Sequence, residues 1–486
     1  MRLSELLREV EFEGSIKNDF DIKLVTDDSR LVRPGALFVC IRHRSFDGHT
    51  AAAEALASGA AAVVTQERLG LENELNVADS RAAYARLCAA LCGHPEQKLR
   101  MIGVTGTNGK TTVTTLIRNI LSDSGIKTLL TGTVCNRLGD ESLPSGLTTP
   151  KPPELYSLLS RAVLSGCEAC VAEASSQALA QGRLEGIAFD AAVFTNITRD
   201  HLDYHGTFEN YLAAKKKLFE HSEVSAVNLD DPRADEIIAA SSGKTVTFST
   251  VLDCADYTAK NISLLPEGVS FELVSKGRIE HINFASPGLF SVSNAMAAAV
   301  CAINLGVDPR SAAQSLARSK GVCGRLERVE CGTPYSVIID YAHTPDGLEQ
   351  VLRALRPSCR GKLIVLFGCG GDRDKTKRPL MGAAACKYAD TVIVTSDNPR
   401  SEEPMKIIGD ILKGTDKKRR GLFVEEDRRR ATALALSLAK PGDTVLLAGK
   451  GHEKYQLICG EKLPLDERET VREILGLPHD TGRKKP

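Results

Sequence analysis

The segment of the chain best suited to phosphate chemistry is a glycine-rich loop at residues 106–112, Gly-Thr-Asn-Gly-Lys-Thr-Thr. It lies between an apolar segment of strand length and apolar residues at helical spacing, so we expect strand, loop and helix in that order. The two glycines allow backbone N–H groups to approach phosphate oxygens, and the start of the helix adds positive potential there. Lys110 can reach the terminal phosphates of a nucleotide and Thr111 can hold Mg²⁺. The strict Walker spacing needs a glycine at Val104, but the order of elements still predicts nucleotide binding.

Two later segments place polar residues at the ends of predicted strands. Glu173 ends the apolar segment 169–173 and is predicted to be a Mg²⁺ ligand opposite the glycine loop. The segment 191–195 leads into a loop, 196–206, that contains two aspartates and two histidines. A polar cluster of this density at a strand end is costly unless it binds something. The alternative is a solvated turn in which Asp200 caps the next helix.

The helix predicted to follow carries a lysine on its apolar face. Lys215 shares that face with Phe208, Tyr211, Leu212, Leu218 and Phe219, whereas Lys216 and Lys217 point elsewhere. Burial favours the neutral form of a lysine, and a neutral amine can react with CO₂ to form a carbamate, an anion able to lie near a metal ion. The alternative is a lysine whose stem only covers apolar surface while its ammonium group reaches water. The spacing alone does not separate the two.

The composition excludes several classes of protein. The 486 residues include 62 Lys+Arg and 62 Asp+Glu, so no overall basic field is available for nucleic acid or an anionic membrane. No apolar run reaches the roughly 18–20 residues that span a bilayer, and the first ten residues lack the pattern of a secretory signal, so we expect a cytoplasmic protein. The 14 cysteines are too dilute for a disulfide scaffold. The pair Cys167 and Cys170 has no partner pair at zinc-binding spacing and is interpreted as packing.

The order of predicted elements divides the chain into three α/β domains. Residues 1–98 contain short strands and an alanine-rich helix, and a Gly-His-Pro-Glu turn precedes residue 99. Strands alternate with helices from 99 to about 232, which predicts a mostly parallel sheet, and 262–274 reads as an antiparallel hairpin of the same domain, 99–331. Alternation resumes in 332–486, which ends in a basic tail at 483–486 that we expect to be disordered.

Taken in order along the chain, these motifs resemble those of the Mur ligases, the ATP-dependent enzymes that add amino acids to bacterial peptidoglycan precursors. The resemblance rests on residues 106–112, 173–176, 195–205, 293–294, 324–325, 340–346 and 449–453. Residues 368–374 and 397–400, Asp-Asn-Pro-Arg, are similar to the branch of the family that adds meso-diaminopimelate to the γ-carboxylate of D-glutamate in UDP-N-acetylmuramoyl-L-Ala-D-Glu.

The resemblance implies a small N-terminal domain for the UDP-sugar, a central P-loop ATPase, and a C-terminal Rossmann-like domain that brings the amino acid. It further implies ATP and Mg²⁺ as cofactors, two ions in all, one held through a carbamoylated Lys215. The expected partners are small-molecule substrates, without nucleic acid or membrane insertion, and the expected state is a monomer. Because two bound reactants must meet across a cleft, we also expect the C-terminal domain to close on the central one.

The family's motifs also imply roles for individual residues. The expected catalytic residues are Lys110, Glu173, His201 and Lys215, and the expected Mg²⁺ ligands are Thr111, Glu173, His201 and Lys215. The expected nucleotide-binding residues are Gly106, Thr107, Asn108, Gly109, Lys110, Thr111, Thr112, Asn294, Arg325 and Asp340. The expected sugar-dipeptide contacts are Ser29, Thr148, Thr149, Ser175, Gln181 and Arg183. The expected amino-acid contacts are Arg373, Asp397, Asn398, Pro399, Arg400, Gly449 and Glu453. Residues 42–46 and 150–153 do not match the family closely.

Arg400 is expected to choose the amino acid. It follows a predicted strand, 391–395, and its planar guanidinium suits a two-point grip on a carboxylate. Diaminopimelate carries a distal carboxylate that lysine lacks, so an arginine there favours the former. The alternative for Arg400 is a turn with its side chain in solvent. The alternative functions for the whole protein are a lysine-adding ligase of the same family, a relative of folylpolyglutamate or cyanophycin synthetases, and a nucleotide-gated binding module without chemistry.

Overall fold

The structure is a computed structural model that describes residues 1–43, 46–265, 267–416 and 419–478. The predicted tail at 483–486 lies outside these residues. Three large sheets follow one another along the chain, and the predicted α/β class is confirmed. The predicted domain boundaries at 98/99 and 331/332 stay a prediction. In the described part of the chain, no helix is long and apolar enough to cross a membrane.

The first sheet has five strands in the order β1-β5-β4-β3-β2, and only β1 runs antiparallel to its neighbour. Its strands are β1 (Glu13–Gly14), β2 (Leu24–Thr26), β3 (Ala36–Val39), β4 (Ala60–Thr65) and β5 (Glu74–Asn76). Its helices are α1 (Leu3–Leu6), α2 (Ala52–Ala57) and α3 (Ser80–Leu91). The residues of β3 and β4 are all buried, as expected for strands covered on both faces.

The second sheet has eleven strands in the order β16-β15-β14-β13-β12-β11-β6-β10-β7-β8-β9. The strands are β6 (Arg100–Thr105), β7 (Thr128–Thr131), β8 (Asn136–Leu138), β9 (Glu141–Leu143), β10 (Ala169–Glu173), β11 (Phe189–Phe194), β12 (Ser222–Asn228), β13 (Lys244–Ser249), β14 (Tyr257–Leu265), β15 (Gly268–Ser275) and β16 (Arg278–Phe284). The helices are α4 (Lys110–Asp123), α5 (Pro152–Leu164), α6 (Ser176–Ala180), α7 (Leu202–His205), α8 (Phe208–Lys216), α9 (Ala234–Ala240), α10 (Leu289–Asn304) and α11 (Pro309–Arg318).

The middle of the second sheet is parallel, as the sequence predicted, and its edges are antiparallel. The predicted hairpin is present as β14 and β15, and a third strand, β16, continues it. Strand β16 was not predicted from the sequence, and neither were the strands β8 and β9 at the opposite edge. The carboxyl ends of the parallel strands β6, β10 and β11 lie together because all three pair in register. The glycine loop, Glu173 and the polar loop after β11 therefore meet at one edge of the sheet.

The third sheet has six strands in the order β17-β18-β22-β19-β20-β21, all parallel except β17. The strands are β17 (Glu327–Arg328), β18 (Ser336–Asp340), β19 (Leu363–Phe367), β20 (Thr391–Val394), β21 (Leu422–Val424) and β22 (Thr444–Ala448), and a separate hairpin follows, β23 (Tyr455–Ile458) with β24 (Glu461–Pro464). The helices are α12 (Pro345–Leu355), α13 (Lys377–Tyr388), α14 (Pro404–Leu412), α15 (Arg428–Leu438) and α16 (Glu467–Ile474).

The core around each sheet is apolar, and eight cysteines are buried in the described part of the chain. Cys167 and Cys170 are buried free thiols, which agrees with their interpretation as packing residues. Burial raises the pKa of the Cys170 thiol to about 12, so it stays protonated at neutral pH.

Candidate functional site

The glycine loop between β6 and α4 has a backbone that only glycine accommodates at two positions. Gly106 has φ +155°, and an added Cβ would lie 1.9 Å from the Thr195 hydroxyl oxygen. Gly109 has φ +89°, and a Cβ there would lie 2.5 Å from Oδ1 of Asn294. Helix α4 begins at the next residue, Lys110, so its free N–H groups face the loop. The loop therefore has the close approach and the helix start that a phosphate group needs.

Two lysines, Lys110, which is half-buried, and Lys215, which is buried, converge on one carbonyl group of this loop. Nζ of Lys110 donates to the carbonyl oxygen of Gly106 at 2.8 Å, and Nζ of Lys215 donates to the same oxygen at 2.7 Å. Burial lowers the pKa of Lys110. Burial also lowers the pKa of Lys215 well below its ordinary value, and the positive charge of Lys110 lowers it further. The prediction that Lys215 lies on the apolar side of α8 is confirmed, because it is 1% exposed while Lys217 is exposed.

Glu173 lies at the end of β10, where it faces the first turn of α4. Its Oε2 accepts hydrogen bonds from the hydroxyl groups of Thr111 at 3.0 Å and Thr133 at 2.9 Å, and its Oε1 accepts from the Thr133 N–H at 2.9 Å. The side chain is 1% exposed. A buried carboxylate beside a threonine hydroxyl at the start of the loop helix provides two oxygen atoms of the kind that ligate Mg²⁺.

The polar loop after β11 contains His201, which lines one cavity together with Lys110 and Glu173. His201 has φ +52°, a strained conformation for a residue other than glycine. Its Nε2 lies 3.5 Å from Oδ2 of Asp200. Burial lowers the pKa of His201, and the charges of Lys110 and Lys215 act in the same direction while Asp200 opposes them. Helix α7 begins after His201 rather than after Asp200, so the alternative of Asp200 as a helix cap is wrong.

A cavity of about 300 Å³, which we call the phosphate-loop cavity, joins these groups to the third sheet. On its far side, Nη2 of Arg325 donates to the Thr111 hydroxyl at 3.3 Å, while Nε of Arg325 is buried without a partner. Asp340 accepts N–H groups from Leu326 at 2.7 Å and Ala342 at 2.7 Å. Burial raises the pKa of Asp340. The predicted residues that line this cavity are Thr107, Asn108, Gly109, Lys110, Thr111, Thr112, Thr148, Thr149, Glu173, Ser175, Arg183, His201, Lys215, Asn294, Arg325 and Asp340.

The predicted sugar-dipeptide residues are only partly brought together. Thr149 donates to the carbonyl oxygen of Glu173 at 2.6 Å, and Arg183 donates to the carbonyl oxygen of Thr149 at 2.7 Å. Gln181 does not line the cavity but orients Arg183, whose Nε and Nη2 donate to Oε1 of Gln181 at 3.0 and 2.7 Å. Ser29 lies outside both large cavities, in a short 3₁₀ turn of the first sheet region.

A second cavity, of about 540 Å³, lies between the second and third sheets, and we call it the cleft cavity. It shares part of its wall with the phosphate-loop cavity: Thr148, Gln177, Asp200, His201, Tyr341, His343 and Thr344 line both. The predicted amino-acid residues in its wall are Arg373, Asp397, Asn398, Arg400, Gly449 and Glu453, whereas Pro399 is not part of the wall. The two cavities are therefore adjacent, one at the glycine loop and the other at Arg400, and they share this part of their wall.

The backbone of Arg400 is strained and held in place from two sides. It has φ +53°, and its N–H and C=O groups bond to Leu457 and Cys459 of the β23–β24 hairpin at 3.0 and 2.7 Å. Nη1 donates to the carbonyl oxygen of Gly371 at 2.6 Å, which uses one of the five guanidinium donors. The side chain lines the cleft cavity, so the alternative of a turn with Arg400 in open solvent is wrong.

Several polar residues of these cavities were not assigned from the sequence. His343 lines both cavities, and its Nδ1 lies 3.0 Å from the carbonyl oxygen of Tyr341. Asp346 accepts from Nδ2 of Asn108 at 3.1 Å, which ties the third sheet region directly to the glycine loop. Both lie in the motif 340–346, from which only Asp340 was assigned. Within the described ranges, no group of three or more His, Cys, Asp or Glu side chains is placed to hold a metal ion.

The chain is similar to known proteins along nearly its whole length. Three family models match successive parts of the chain: the catalytic domain of the Mur ligase family at residues 21–90, the Mur ligase middle domain at 104–302, and the Mur ligase glutamate ligase domain at 324–451. Relatives named UDP-N-acetylmuramoyl-L-alanyl-D-glutamate–2,6-diaminopimelate ligase include one from Clostridium tetani, 41% identical over 98% of this chain and 99% of its own length. Another, from Caldanaerobacter subterraneus, is 44% identical with the same coverage.

Solved structures show the same likeness. A structure of a UDP-N-acetylmuramoyl-L-alanyl-D-glutamate–2,6-diaminopimelate ligase is 35% identical, with a TM-score of 0.71, and covers 98% of this chain and 99% of its own. The folylpolyglutamate synthase of Mycobacterium tuberculosis, complexed with ADP and AMPPCP, has a TM-score of 0.65 at 17% identity over 82% of this chain and 95% of its own. At that identity the second likeness concerns the fold alone.

Proposed function

Because the chain belongs to the Mur ligase family, we propose that it is an ATP-dependent amide ligase that adds meso-2,6-diaminopimelate to UDP-N-acetylmuramoyl-L-Ala-D-Glu. The observation that carries the proposal is the pair of adjacent cavities with a shared wall, one at the glycine loop and one at Arg400, since the reaction requires an activated carboxylate and an amine to meet. The relatives with this printed name match the chain over nearly its whole length. The three predicted domains, 1–98, 99–331 and 332–486, would then bind the UDP-sugar, ATP and the amino acid.

Activation of the D-glutamate γ-carboxylate is needed because a carboxylate oxygen is a poor leaving group. The γ-phosphoryl group of ATP passes to that carboxylate, which gives an acyl phosphate and ADP. Phosphoryl transfer of this kind depends on positioning and on neutralisation of charge. The glycine loop and Lys110 would hold the phosphates, and Arg325, whose Nε lacks a partner in the protein, would add a donor on the opposite side.

The residues around Glu173 fit Mg²⁺. Its carboxylate and the Thr111 hydroxyl are oxygen donors 3.0 Å apart, and Mg²⁺ commonly takes one or two protein ligands and completes its shell with phosphates and water. Thr111, Glu173 and His201 would hold one ion, which supplies charge neutralisation at the phosphates when bound. This arrangement does not require the cluster of acidic or histidine ligands that an all-protein site would need.

Lys215 is proposed to carry a carbamate and to take part in a second Mg²⁺ site. Its buried position and the neighbouring ammonium group of Lys110 favour the neutral amine. A neutral amine adds CO₂ with loss of a proton, and the product is an anion. That anion would lie beside the ammonium group of Lys110, since the side-chain nitrogens of both lysines contact the Gly106 carbonyl oxygen. A lysine that only covers apolar surface would instead extend its ammonium group to water, and Lys215 does not.

Amide formation takes place when the amine of diaminopimelate attacks the acyl phosphate, and phosphate leaves as the amine loses its proton. The cleft cavity would position that amine, with Glu453 and Arg373 at the amino-acid end and Arg400 at the distal carboxylate. We propose that the C-terminal domain closes on the central one during this step. We further propose that the protein acts as a monomer in the cytoplasm.

The test is to measure ADP release with ATP and UDP-N-acetylmuramoyl-L-Ala-D-Glu, with either meso-diaminopimelate or L-lysine added. We expect release that depends on the dipeptide and on diaminopimelate. Release supported by lysine and not by diaminopimelate would favour the lysine-adding alternative. Absence of release with both amino acids would refute a ligase and leave the binding module.

A further inference from the structure

The amino-acid end of the cleft cavity rests on a lysine that does not reach the cavity. Lys450, in the segment between β22 and β23, is 0% exposed. Its Nζ donates to Oδ1 of Asn398 at 2.5 Å, to the carbonyl oxygen of Tyr455 at 2.8 Å, and to Oε2 of Glu453 at 3.1 Å. An ammonium group has three protons to donate. All three are engaged with the protein, so Lys450 has none left for a substrate.

These contacts determine the orientation of Glu453. Its Oε2 accepts from Lys450 and also from Nδ2 of Asn398 at 2.9 Å. The amide of Asn398 is itself fixed, because its oxygen accepts from Lys450 and from the Leu457 N–H at 2.8 Å. With Oε2 engaged twice, the other carboxylate oxygen of Glu453 is the one available to the cavity that this residue lines. A carboxylate oxygen is a suitable acceptor for a substrate ammonium group.

Lys450 also balances the charges beneath the cavity. Oδ1 of Asp397 lies 3.5 Å from its Nζ. Burial alone would raise the pKa of Asp397, but the neighbouring cationic groups, Lys450 and Arg428 first among them, lower it overall. Without Lys450, the carboxylates of Asp397 and Glu453 would lose the cation between them. Removal of one partner from a buried ion pair leaves an uncompensated charge, which is strongly unfavourable.

We infer that Lys450 is a positioning residue for the incoming amino acid, because it holds Glu453 with one carboxylate oxygen directed to the substrate ammonium group. The inference deepens the proposed function and rests on it. It predicts that Lys450 affects the binding of diaminopimelate and not the activation of the dipeptide, since none of its contacts reach the glycine loop.

The experiment compares Lys450→Met with the wild type in two assays. The first is the full reaction with varied meso-diaminopimelate. The second is the exchange of label between ADP and ATP with the dipeptide and without amino acid, which reports reversible acyl phosphate formation alone. We expect a KM for diaminopimelate at least tenfold higher in Lys450→Met, a smaller change in kcat, and unchanged exchange. Lys454→Met is the matched control, because Lys454 lies in the same segment with a side chain 64% exposed, and should behave as wild type in both assays.

A double-mutant cycle with Glu453→Gln separates positioning from general support. If Lys450 acts through Glu453, the double variant should have the KM of Glu453→Gln alone, because the second change has nothing left to remove. Additive effects would overturn the inference, and so would an unchanged KM in Lys450→Met.

Lys450→Gln, which keeps an amide donor without the charge, is the second variant should Lys450→Met fold poorly, and we expect a KM increase of the same sign. Loss of exchange in both variants would assign Lys450 to the stability of the domain and overturn the positioning role. Failure of the wild type to use diaminopimelate would instead overturn the proposed function.

Discussion

The strained backbone at Arg400 allows its role in stability to be separated from its role in catalysis. The residue has φ +53°, a conformation that costs a residue other than glycine roughly 1–2 kcal/mol. Glycine accepts this conformation but loses roughly 0.5–1 kcal/mol of additional backbone entropy on folding. Arg400→Gly should therefore be as stable as Arg400→Ala or up to about 1.5 kcal/mol more stable, although both variants lack the guanidinium group.

Both variants should lose the same activity. A charged group that pairs with a carboxylate contributes about 1.5–3 kcal/mol, and a loss of about 2 kcal/mol or more corresponds to roughly a 30-fold or larger decrease in kcat/KM for diaminopimelate. The assay is ADP release at saturating ATP and dipeptide with varied diaminopimelate, beside urea denaturation of each variant. Arg420→Ala, at an exposed arginine, is the control and should change neither quantity.

Three results would each refute a part of this reasoning. An unchanged kcat/KM in both variants would remove Arg400 from the amino-acid site. A midpoint of urea denaturation for Arg400→Gly clearly below that of Arg400→Ala would show that the left-handed backbone carries no strain that glycine can relieve. A preference for diaminopimelate over lysine that persists in both variants would require another group to recognise the distal carboxylate.

Two further predictions concern ionisable groups whose pKa is lowered by loss of contact with water. Lys215→Arg should lower ADP release more than 100-fold, because an arginine cannot form a carbamate. Lys217→Arg, at an exposed position of the same segment, should retain activity. Equal activity of the two variants would contradict the carbamate. Burial lowers the pKa of His343 to about 4. The unfolded chain therefore binds more protons than the folded chain between about pH 6.5 and pH 4. The free energy of unfolding should consequently fall as the pH falls through that range, by up to about 1.4 kcal/mol per pH unit from this group. His343→Gln should therefore be less sensitive than wild type to a change from pH 7 to pH 5 in urea denaturation, and an unaltered pH dependence would show that this imidazole is not the titrating group.

Local patterns in the sequence predicted the elements that carry the site. The order of strand, glycine loop and helix at residues 100–123 was confirmed because these features follow one another along the chain and each depends on neighbouring residues. The burial of Lys215 was predicted for the same reason, since the spacing of apolar residues along a helix determines which face turns inward. The roles of the individual site residues stay predictions that the experiments above address.

Only the tertiary structure decided which groups meet. Spacing placed Lys215 on an apolar face. It could not show that Nζ of Lys215 donates to the carbonyl oxygen of Gly106, which lies 109 positions earlier in the chain and also accepts from Lys110. The backbone bonds of Arg400 and the network beneath Glu453 both involve a hairpin, β23–β24, that contacts the distant loop containing Arg400. Contacts of this kind depend on how separate elements pack. A pattern of residue types along the chain indicates which residues are buried, but not which residues they contact.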